Sequence, residues 1–441
     1  MKSKLIPLVV CCLLHAICVG QWSSPAPLLG GSPDADGMSL VAGSGDTMWA
    51  TVVSTAPCRV YACWTTGDTW SQPVELGPPD SNPVFHDPGM GRDASGRLWA
   101  AWYKDLDSNG VWAAFRDSAG WHASRVYSDS DAAGPMSFAS DATGNWYLGF
   151  ATLTPYSSAV CSRWTGGSWE SPRYIARGAS DPFETDFLAP TLVTRPDSRL
   201  WAAYQMSALG DSVAMLKILQ RDTSYQHWIG DGSAPAATAD SSGRLWILYS
   251  QLAGHMVVSA AIRDNGEVDS GLVSDYTLGR AYATTDFEGM VWAAWKHRSY
   301  GSVSVNYWTG RDWSAPEQTS ALAAVPRGIA ADASGRVYVL FQTAAGKLYS
   351  VHRTSRPGVE ESVARLVSDP TPATIARDVL VLPVSPRPRV SESPRLLDAC
   401  GRKVAELHPG ANDVHALAPG VYFVREAQAQ AQAVRKIVLT E

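Results

Sequence analysis

The sequence lacks the short motifs that mark most catalytic sites. From Gln21 onward it contains no glycine-rich phosphate loop, no His-Glu-x-x-His, no Gly-x-Ser-x-Gly and no Cys-x-x-Cys. It also lacks the basic stripe that nucleic acid requires, since its formal net charge is −6 and acidic and basic residues are interspersed. We therefore expect a soluble surface and no nucleic acid partner.

Cysteine is scarce, which excludes a disulfide scaffold. Seven cysteines occur in 441 residues, and after the first 20 residues only Cys58, Cys63, Cys161 and Cys400 remain. A chain of this length can bury a large core without disulfides. Cys58 and Cys63 lie in or beside one predicted strand and are interpreted as structural thiols, with metal ligation as the alternative. We predict no cofactor and no metal.

The apolar run at the N-terminus is too short to span a membrane comfortably. Residues 5–19 are apolar, follow two lysines and precede a small residue at Gly20. This pattern is typical of a secretory signal peptide, whereas a membrane span needs about 20 apolar residues. Residues 1–20 are therefore predicted to be a signal peptide removed after Gly20. A membrane anchor, or lipidation at Cys18, is the alternative.

What the sequence does contain is a repeated unit, clearest in residues 93–102, Asp-Ala-Ser-Gly-Arg-Leu-Trp-Ala-Ala-Trp. Aspartate can accept hydrogen bonds from N–H groups about two residues on, and glycine can take a positive φ, so Asp-x-x-Gly predicts a tight turn. In the segment after the turn, alternate residues, which would point to opposite faces of a strand, are all apolar. This predicts a strand covered on both faces, in sheets that stack.

Seven copies of the turn are assigned, 43 to 56 residues apart. They begin at Asp46, Asp93, Asp141, Asp197, Asp240, Asp286 and Asp332. An aromatic residue follows six places after the aspartate in five copies, and Trp201 matches in a sixth after a two-residue deletion. The first copy is the most degraded and lacks the turn glycine.

Each copy divides into four short strand candidates. The last two are joined by a signature, aromatic-Thr-Gly-x-x-Trp-Ser-x-Pro, at residues 64–73, 164–172 and 308–316. Four strands per repeat, glycine turns and Trp-rich strands predict an all-β fold, a seven-bladed β-propeller over residues 21–367. A long array of β-sandwiches is the alternative.

Two segments compete to complete the seventh blade. Gln21-Trp22-Ser23-Ser24-Pro25 matches the end of the Trp signature but has no blade in front of it. We predict that it pairs with the last blade and closes the ring. Residues 358–362, Gly-Val-Glu-Glu-Ser, lie where the last blade's own outer strand should be and are the alternative.

The repeat resembles known propeller families. Residues 326–339, Pro-Arg-Gly-Ile-Ala-Ala-Asp-Ala-Ser-Gly-Arg-Val-Tyr-Val, resemble a blade of the NHL-type and two-component-regulator propellers, and residues 235–246 are similar. The turn also resembles the sialidase Asp-box, Ser-x-Asp-x-Gly-x-x-Trp, although here glycine lies three places after aspartate instead of two. The resemblance covers roughly residues 38–350. It implies the fold more than the chemistry, because propellers host many functions.

The composition changes after Val367, so residues 368–376 are predicted to be a linker and residues 377–441 a small C-terminal β-sandwich. Residues 395–404 and 417–424 resemble the C-terminal sorting domain of the bacterial type nine secretion system, which has a strand ending in Gly-Arg-x-Val, a turn, and Leu-x-x-Gly-Val-Tyr-Phe. Residues 435–439 match its last basic-apolar strand. The resemblance implies the type nine secretion machinery as a partner. It also implies a secreted or surface-displayed protein of a Gram-negative bacterium, with an adhesion or stability module as the alternative.

Polar residues recur ten places after the turn aspartate. Val53 and Ala151 occupy two copies, and the other five have Tyr103, Gln205, Ser250, Lys296 and Gln342. Each lies where a second strand ends, so a closed ring would bring them to one face. Such groups near Trp and Tyr can bind a sugar or a peptide. We predict that these five residues bind a ligand; strand ends that turn polar where solvent begins are the alternative.

Two functions follow. The first is a non-enzymatic, secreted propeller that binds a glycan or an extracellular protein. The alternative is a carbohydrate-active enzyme, sialidase-like or lyase-like. A sialidase resemblance implies three arginines and a Tyr–Glu pair, for which residue types are available at Arg195, Arg280, Arg327, Tyr282 and Glu184. His86-Asp87 as a metal pair and Glu184 with Asp186 as a carboxylate pair are interpreted as solvated loop residues.

Overall fold

The fold is built from β-strands. The structure is a computed structural model. It describes residues 22–29, 35–55, 58–77, 88–104, 109–128, 132–152, 158–177, 185–187, 190–195, 199–208, 211–218, 225–251, 255–263, 267–275, 277–299, 301–353, 374–376, 379–382, 395–397, 403–408, 410–427 and 432–439. Residues divide into two units, Met1–Arg356 and Pro357–Glu441.

The described strands of the first unit form seven antiparallel sheets, numbered here as blades 1 to 7. Strand β1 (Ala26–Pro27) comes first in the chain; blade 1 has β2 (Ala35–Ala42), β3 (Met48–Thr55), β4 (Cys58–Thr65) and β5 (Val74–Glu75), and blade 2 has β6 (Gly89–Arg92), β7 (Leu98–Lys104), β8 (Gly110–Asp117) and β9 (Gly120–Tyr127). Blade 3 has β10 (Ala132–Ser140), β11 (Trp146–Thr152), β12 (Ser158–Trp164) and β13 (Arg173–Arg177); blade 4 has β14 (Thr185–Phe187), β15 (Thr191–Thr194), β16 (Leu200–Ala208), β17 (Asp211–Ile218) and β18 (Tyr225–Asp231); blade 5 has β19 (Ser233–Ala239), β20 (Leu245–Gln251), β21 (Met256–Ile262) and β22 (Val268–Ser274). Blade 6 has β23 (Thr277–Thr285), β24 (Val291–His297), β25 (Val303–Tyr307) and β26 (Glu317–Gln318), and blade 7 has β27 (Ala324–Ala331), β28 (Val337–Thr343) and β29 (Leu348–His352), with β1 as its fourth strand.

The innermost strands of these sheets form a closed ring. Each contacts the innermost strand of the next blade, in the order β2, β6, β10, β15, β19, β23 and β27, and β27 contacts β2. Successive strands within a blade pair outward from this ring. The β-propeller prediction is therefore confirmed, and the innermost strands surround a central channel.

The second strand of each blade is buried on both faces, as its sequence predicts. In β7, Trp99, Ala100 and Ala101 are 0% exposed and Trp102 is 2% exposed. Large rings and alanines alternate because each strand packs against the neighbouring blades on both sides. The corresponding strands β20 and β24 are buried in the same way.

The Asp-x-x-Gly turns join the first and second strands. In blade 2 the Gly96 N–H donates to the Asp93 carbonyl oxygen at 2.9 Å, and Gly96 has a φ of +84°. The Asp93 carboxylate accepts hydrogen bonds from the backbone and side chains of Ser95 and Arg97, and from Trp99 Nε1 at 2.9 Å. The turn aspartate thus fixes the loop and also anchors the buried indole six places later.

Two of the assigned copies begin at other residues than predicted. The N–H of Asp93 donates to the Arg97 carbonyl, and the equivalent bonds in blades 1 and 4 run from Gly43 to Thr47 and from Arg195 to Arg199. The copies assigned to Asp46 and Asp197 therefore start at Gly43 and Arg195. No turn deletion is needed, because Trp49 and Trp201 then lie six places on, as in the other copies.

The Trp signature forms a hairpin between third and fourth strands that packs over the preceding blade. Trp70 Nε1 of blade 1 donates to Ser350 Oγ on β29 at 2.8 Å, and Trp313 Nε1 of blade 6 donates to Ser259 Oγ on β21 at 3.0 Å. These hairpins lie on the same side of the ring as the aspartate turns, because strands alternate in direction. We call this side the turn end and the opposite side the bulged end.

The N-terminal segment completes blade 7. Strand β1 pairs antiparallel with β29, and Trp22 forms a bridge with Arg353. The Ser23 N–H donates to the His352 carbonyl at 2.8 Å and the His352 N–H donates to Ser23 Oγ at 3.0 Å, the same pattern that Ser71 makes with Trp64 in blade 1. The predicted closing strand is thus observed. The competing residues 358–362 lie outside the described residues.

The second unit has two sheets around one core. Its strands are β30 (Thr374–Ala376), β31 (Val379–Leu382), β32 (Arg395–Leu397), β33 (Lys403–Glu406), β34 (Gly410–Asp413), β35 (Gly420–Ala427) and β36 (Gln432–Leu439). Strands β30, β36, β35, β32 and β33 form one sheet and β31 pairs with β34. Leu380, Leu396 and Val424 lie in their shared core, so the small β-sandwich prediction is confirmed.

The last three residues of the predicted linker, 374–376, form β30, which pairs in parallel with β36. The other residues of that segment lie outside the described residues, so the linker stays a prediction. The predicted signal peptide, residues 1–20, lies outside the described residues. Within the described part of the chain, no helix is long and apolar enough to cross a membrane.

Candidate functional site

The five residues predicted to bind a ligand lie near the bulged end of the second strands, and three of them are buried. Tyr103 is 3% exposed, Gln205 6% and Ser250 4%. Tyr103 belongs to the apolar cluster shared by blades 2 and 3. Burial leaves these three side chains little surface for a ligand.

Two of the five connect neighbouring blades. Gln205 Oε1 accepts a hydrogen bond from the Ala234 N–H of the next blade at 2.9 Å. Ser250 Oγ donates to the Gly279 carbonyl oxygen of the next blade at 2.5 Å. The polar character of these positions is therefore used between blades, which favours the structural alternative for them.

Lys296 and Gln342 are half-buried, and ligand contact there stays a prediction. Gln342 Oε1 accepts two hydrogen bonds from the Arg327 guanidinium, at 3.1 Å from Nε and 2.6 Å from Nη2. Gln342 thus acts on the channel through Arg327, which it holds in place.

The channel itself contains a cavity of about 210 Å³. Its walls come from the innermost strands of six blades. The lining residues include Ser39, Ser137, Thr191, Tyr282 and Gly328, each of which pairs with the second strand of its own blade. Side chains from six of the seven blades meet there. We take it as the candidate site.

Two arginines reach this cavity because the strands that carry them bulge. In β27, Arg327 is the extra residue between Pro326, which pairs with Phe341, and Gly328, which pairs with Leu340. In β23, three residues including Arg280 stand opposite a single residue of β24. A bulge redirects a side chain and is common beside functional sites. Here two neighbouring blades, 6 and 7, each direct a guanidinium into the channel.

Arg280 has an unsatisfied polar atom. Its Nε is buried and has no hydrogen-bond partner among the described residues. Its guanidinium carbon lies 5.2 Å from the centroid of the Tyr282 ring, which provides a cation–π contact but accepts no conventional hydrogen bond. Buried polar groups in proteins are nearly always paired, so an unpaired one needs an explanation.

The described walls of the cavity carry no acidic side chain. Most of the lining residues are apolar, including Met38, Met90, Met136 and Ile329. Two hydroxyls are already committed, because Ser137 Oγ donates to the Pro190 carbonyl and Thr191 Oγ1 to the Pro235 carbonyl. The cavity is therefore positively charged and able to donate hydrogen bonds.

Other candidate residues lie elsewhere. Arg195 occupies the turn position of blade 4, is 3% exposed and stacks over Trp201 at 5.7 Å, so it does not line the cavity. The arginine triad that a sialidase resemblance implies is thus not assembled here. His86, Asp87, Glu184 and the side chain of Asp186 lie outside the described part of the chain. Where the structure is described, no three His, Cys, Asp or Glu residues group as metal ligands.

A signal for the two arginines was present in the sequence. The positions five and six residues before the start of each turn form two columns when the seven copies are aligned. Most copies have an uncharged residue in these columns, as at Met38, Pro88, Met136 and Pro235. Only blades 6 and 7 have arginine in these two columns. Blade 2 has Asp87 in the same columns, so charge of either sign marks three blades and arginine marks blades 6 and 7, whose arginines line the described cavity.

Comparison with known proteins supports the fold. Neither a protein-family model nor a curated protein matches the sequence. Among solved structures, streptogramin B lyase is 12% identical with a TM-score of 0.51, and the match covers 76% of this chain and 98% of that chain. An ulvan lyase of polysaccharide lyase family 25, bound to a glucuronate–rhamnose-3-sulfate unit, is 10% identical with a TM-score of 0.51, covering 78% and 97%.

A Hadza microbial sialidase is also similar, at 12% identity, a TM-score of 0.44 and coverage of 70% and 76%. The similar structures thus include glycan-active enzymes. At such low identities the likeness shows the β-propeller fold alone.

Proposed function

We propose that the channel binds an acidic group, a carboxylate or a sulfate ester, of an extracellular glycan. The observation that carries this proposal is the unpaired Nε of Arg280 in a cavity that Arg327 also lines and that has no acidic residue among its described walls. Guanidinium groups bind carboxylates and sulfate-like anions through paired, charge-assisted hydrogen bonds. An acidic ligand would provide a hydrogen-bond acceptor for the unpaired Nε of Arg280.

The size of the cavity limits what enters it. At about 210 Å³ it is smaller than most pockets for whole small molecules, which span roughly 300–1,000 Å³. The ligand therefore inserts one acidic sugar unit, and the rest of the glycan lies outside the channel. The apolar methionine walls favour a unit with an apolar face over one that needs a hydrogen bond at every hydroxyl.

A second candidate function is supported by Tyr282. Its ring lies beside the Arg280 guanidinium in the channel. A phenol next to a carboxylate-binding arginine suits elimination from a uronate. The arginine stabilises the negative charge on the carboxylate as the C5 proton is lost, and the phenol, acting first as phenolate, takes that proton and gives it to the oxygen that leaves when the C4–O bond breaks. The solved ulvan lyase with the same fold acts on a uronate-containing glycan. The alternative function is therefore a polysaccharide lyase.

We further propose that the protein is secreted and that residues 377–441 direct its export through the type nine machinery. The support is the sequence resemblance, together with the strands β32, β33, β35 and β36 that carry it. In a Gram-negative host with this machinery, a chain ending at Val367 should accumulate in the periplasm. Normal surface delivery of that chain would remove the sorting role.

Binding can be tested with oligosaccharides that end in glucuronate and with the same oligosaccharides after reduction of the carboxyl to an alcohol. Calorimetry should show that the protein binds the acidic oligosaccharides and does not bind the reduced ones. Arg280→Ala and Arg327→Ala should each weaken binding about tenfold or more, since hydrogen bonds to charged groups contribute about 1.5–3 kcal/mol.

Arg311→Ala is the matched control, because it removes the same charge from a side chain that is 93% exposed and distant in sequence from both bulges. Equal binding of acidic and reduced oligosaccharides would refute the proposal. The ultraviolet absorbance of an unsaturated uronate end, appearing with time and lost in Tyr282→Phe, would instead establish the lyase function.

A further inference from the structure

A second cavity lies at the seam where blade 1 meets blade 7. It has a volume of about 300 Å³, which is at the lower end of the range for small-molecule pockets. Its walls are the closing strand, through Pro27 and Leu29, and the Trp hairpin of blade 1, residues 68–73. None of these residues lines the channel.

Strand β1, on one side of the seam cavity, is short. The equivalent hairpins of blades 3 and 6 pack over blades whose outer strands, β9 and β22, have 8 and 7 residues. In blade 5 that strand lies directly against the hairpin, since a Cβ placed on Gly271 would be 3.9 Å from Trp313 Nε1. Strand β1 has 2 residues. Space beside Trp70 that a longer strand would fill is therefore open.

The walls combine an aromatic ring with polar groups that face solvent. Trp70 is half-buried, and its Nε1 is already bound to Ser350, so its indole offers an apolar surface. Asp68 has a side chain that is 77% exposed, and Thr69 and Gln72 are exposed. A carboxylate and an amide can accept and donate hydrogen bonds to neighbouring hydroxyls.

The backbone at this place is also strained. Leu29 has a φ of +52°, a conformation that costs a non-glycine residue of order 1–3 kcal/mol and that clusters at ligand sites. Leu29 lines the seam cavity just after the chain leaves β1.

We propose that the seam cavity binds a neutral pyranose sugar. The apolar C–H face of such a sugar packs on the Trp70 indole, while its hydroxyls bind the Asp68 carboxylate and the Gln72 amide. An acidic sugar is disfavoured here because it would place a second negative charge beside Asp68. The seam cavity thus carries a negative charge where the channel carries positive charges. The proposal for the seam cavity does not depend on whether the channel binds an acidic glycan.

The test uses the chain from residue 21 to 441 and neutral trisaccharides of glucose, mannose and galactose, together with the matching insoluble polysaccharides. Saturation-transfer NMR should detect at least one trisaccharide, with a dissociation constant of the order of 1 mM. Asp68→Ala and Gln72→Ala should each weaken that binding about threefold to tenfold. If the protein is retained on the polysaccharide but does not bind the trisaccharide, the ligand of the seam cavity is a sugar unit within a longer glycan chain.

Asp312→Ala is the matched control, since Asp312 has a 79% exposed side chain in the equivalent hairpin of blade 6. It should leave binding unchanged, as should Arg280→Ala in the channel. The proposal is overturned if no neutral sugar or polysaccharide binds, or if Asp312→Ala weakens binding as much as Asp68→Ala. Loss of binding in Arg280→Ala alone would assign the sugar to the channel instead.

Discussion

The Asp93 turn and the Arg280 bulge, at opposite ends of the ring, differ in how completely the charged side chain of each is paired. At the turn end, the Asp93 carboxylate accepts five hydrogen bonds and anchors the buried Trp99 indole. At the bulged end of the channel, Arg280 has a buried Nε without a partner. The same strands connect both ends, so the difference is not one of packing quality.

The comparison separates polar groups that stabilise the fold from polar groups that are available to bind a ligand. A carboxylate saturated by its own loop has no capacity left to bind anything else. An arginine with a buried, unpaired donor has that capacity and destabilises the free protein slightly. Changes at the turn end should therefore alter stability, and changes in the channel should alter binding.

The largest effect is expected for Trp22→Ala. Trp22 is 8% exposed, packs in the core shared by blades 6 and 7, and donates from Nε1 to Glu317 at 3.2 Å. Truncating a packed Trp costs about 3–5 kcal/mol. Denaturant unfolding should report this loss, whereas Trp64→Ala, at a ring that is 42% exposed, should cost less. Equal losses would mean that the closing strand adds little to the ring.

The next effect is expected for Asp93→Ala. Removing the carboxylate leaves the Trp99 Nε1–H buried without an acceptor, and an unsatisfied buried donor costs about 1–3 kcal/mol. Affinity for an acidic oligosaccharide should not change. Asp269→Ala is the control, because its exposed pair with Arg263 contributes at most about 1 kcal/mol. A loss of binding in folded Asp93→Ala protein would contradict the separation of the two ends.

Acid should act on the turn end and spare the channel. Burial raises the pKa of Asp93, but hydrogen bonds from Ser95, Trp99 and Arg97 outweigh it, so that the pKa lies below its ordinary value of 3.8. The pKa of Asp141 is lowered in the same way, with Asn145 and Thr143 as the hydrogen-bond donors that outweigh burial. The stability from these groups is fully present above the ordinary value and is lost as pH falls through the lowered folded-state pKa.

Thermal unfolding should therefore show a falling melting temperature below about pH 4. Binding of a sulfated oligosaccharide should be constant between about pH 5 and pH 8, because arginine and sulfate ester keep their charges. An affinity that follows the melting temperature would show that the two ends are coupled.

The smallest effect is a gain. Ser259 and Ser350 accept hydrogen bonds from the hairpin indoles of the following blades, and the position that corresponds in blade 2 is Ala113. Trp169, whose hairpin packs there, has a buried Nε1 without a partner in the described structure. Ala113→Ser should raise stability by about 0.5–1.5 kcal/mol. Ala114→Ser, which offers no indole partner, is expected to lower it.

The turn end could be predicted from the sequence because its interactions are local. The Asp93 carboxylate reaches only residues 95–99, so one short pattern specifies the whole turn. The assignment failed at Gly43 and Arg195, where the aspartate is missing and the backbone bond closes the turn without it. The aromatic residue six places on was the more reliable marker, since burial rather than turn chemistry requires it.

The channel could not be located from the sequence because it depends on strand register. A bulge such as the one at Arg327 is defined by which residues of β28 stand opposite, and no local pattern fixes that pairing. The same limit applies to Gln205 and Ser250, whose sequence positions do not show which partner their polar groups meet. Their polar groups are used by the neighbouring blade, a contact that depends on the ring being closed.

Closure by the N-terminal strand has a consequence for how the chain folds. The contact between Ser23 and His352 spans 329 positions, so it is among the last that can form. Rates of folding fall as contacts become less local, and a ring end must also be brought back through a long loop. Seven blades can therefore assemble in order along the chain while the first strand is still unpaired. We therefore expect the return of residues 22–29 to blade 7 to be a late step of folding.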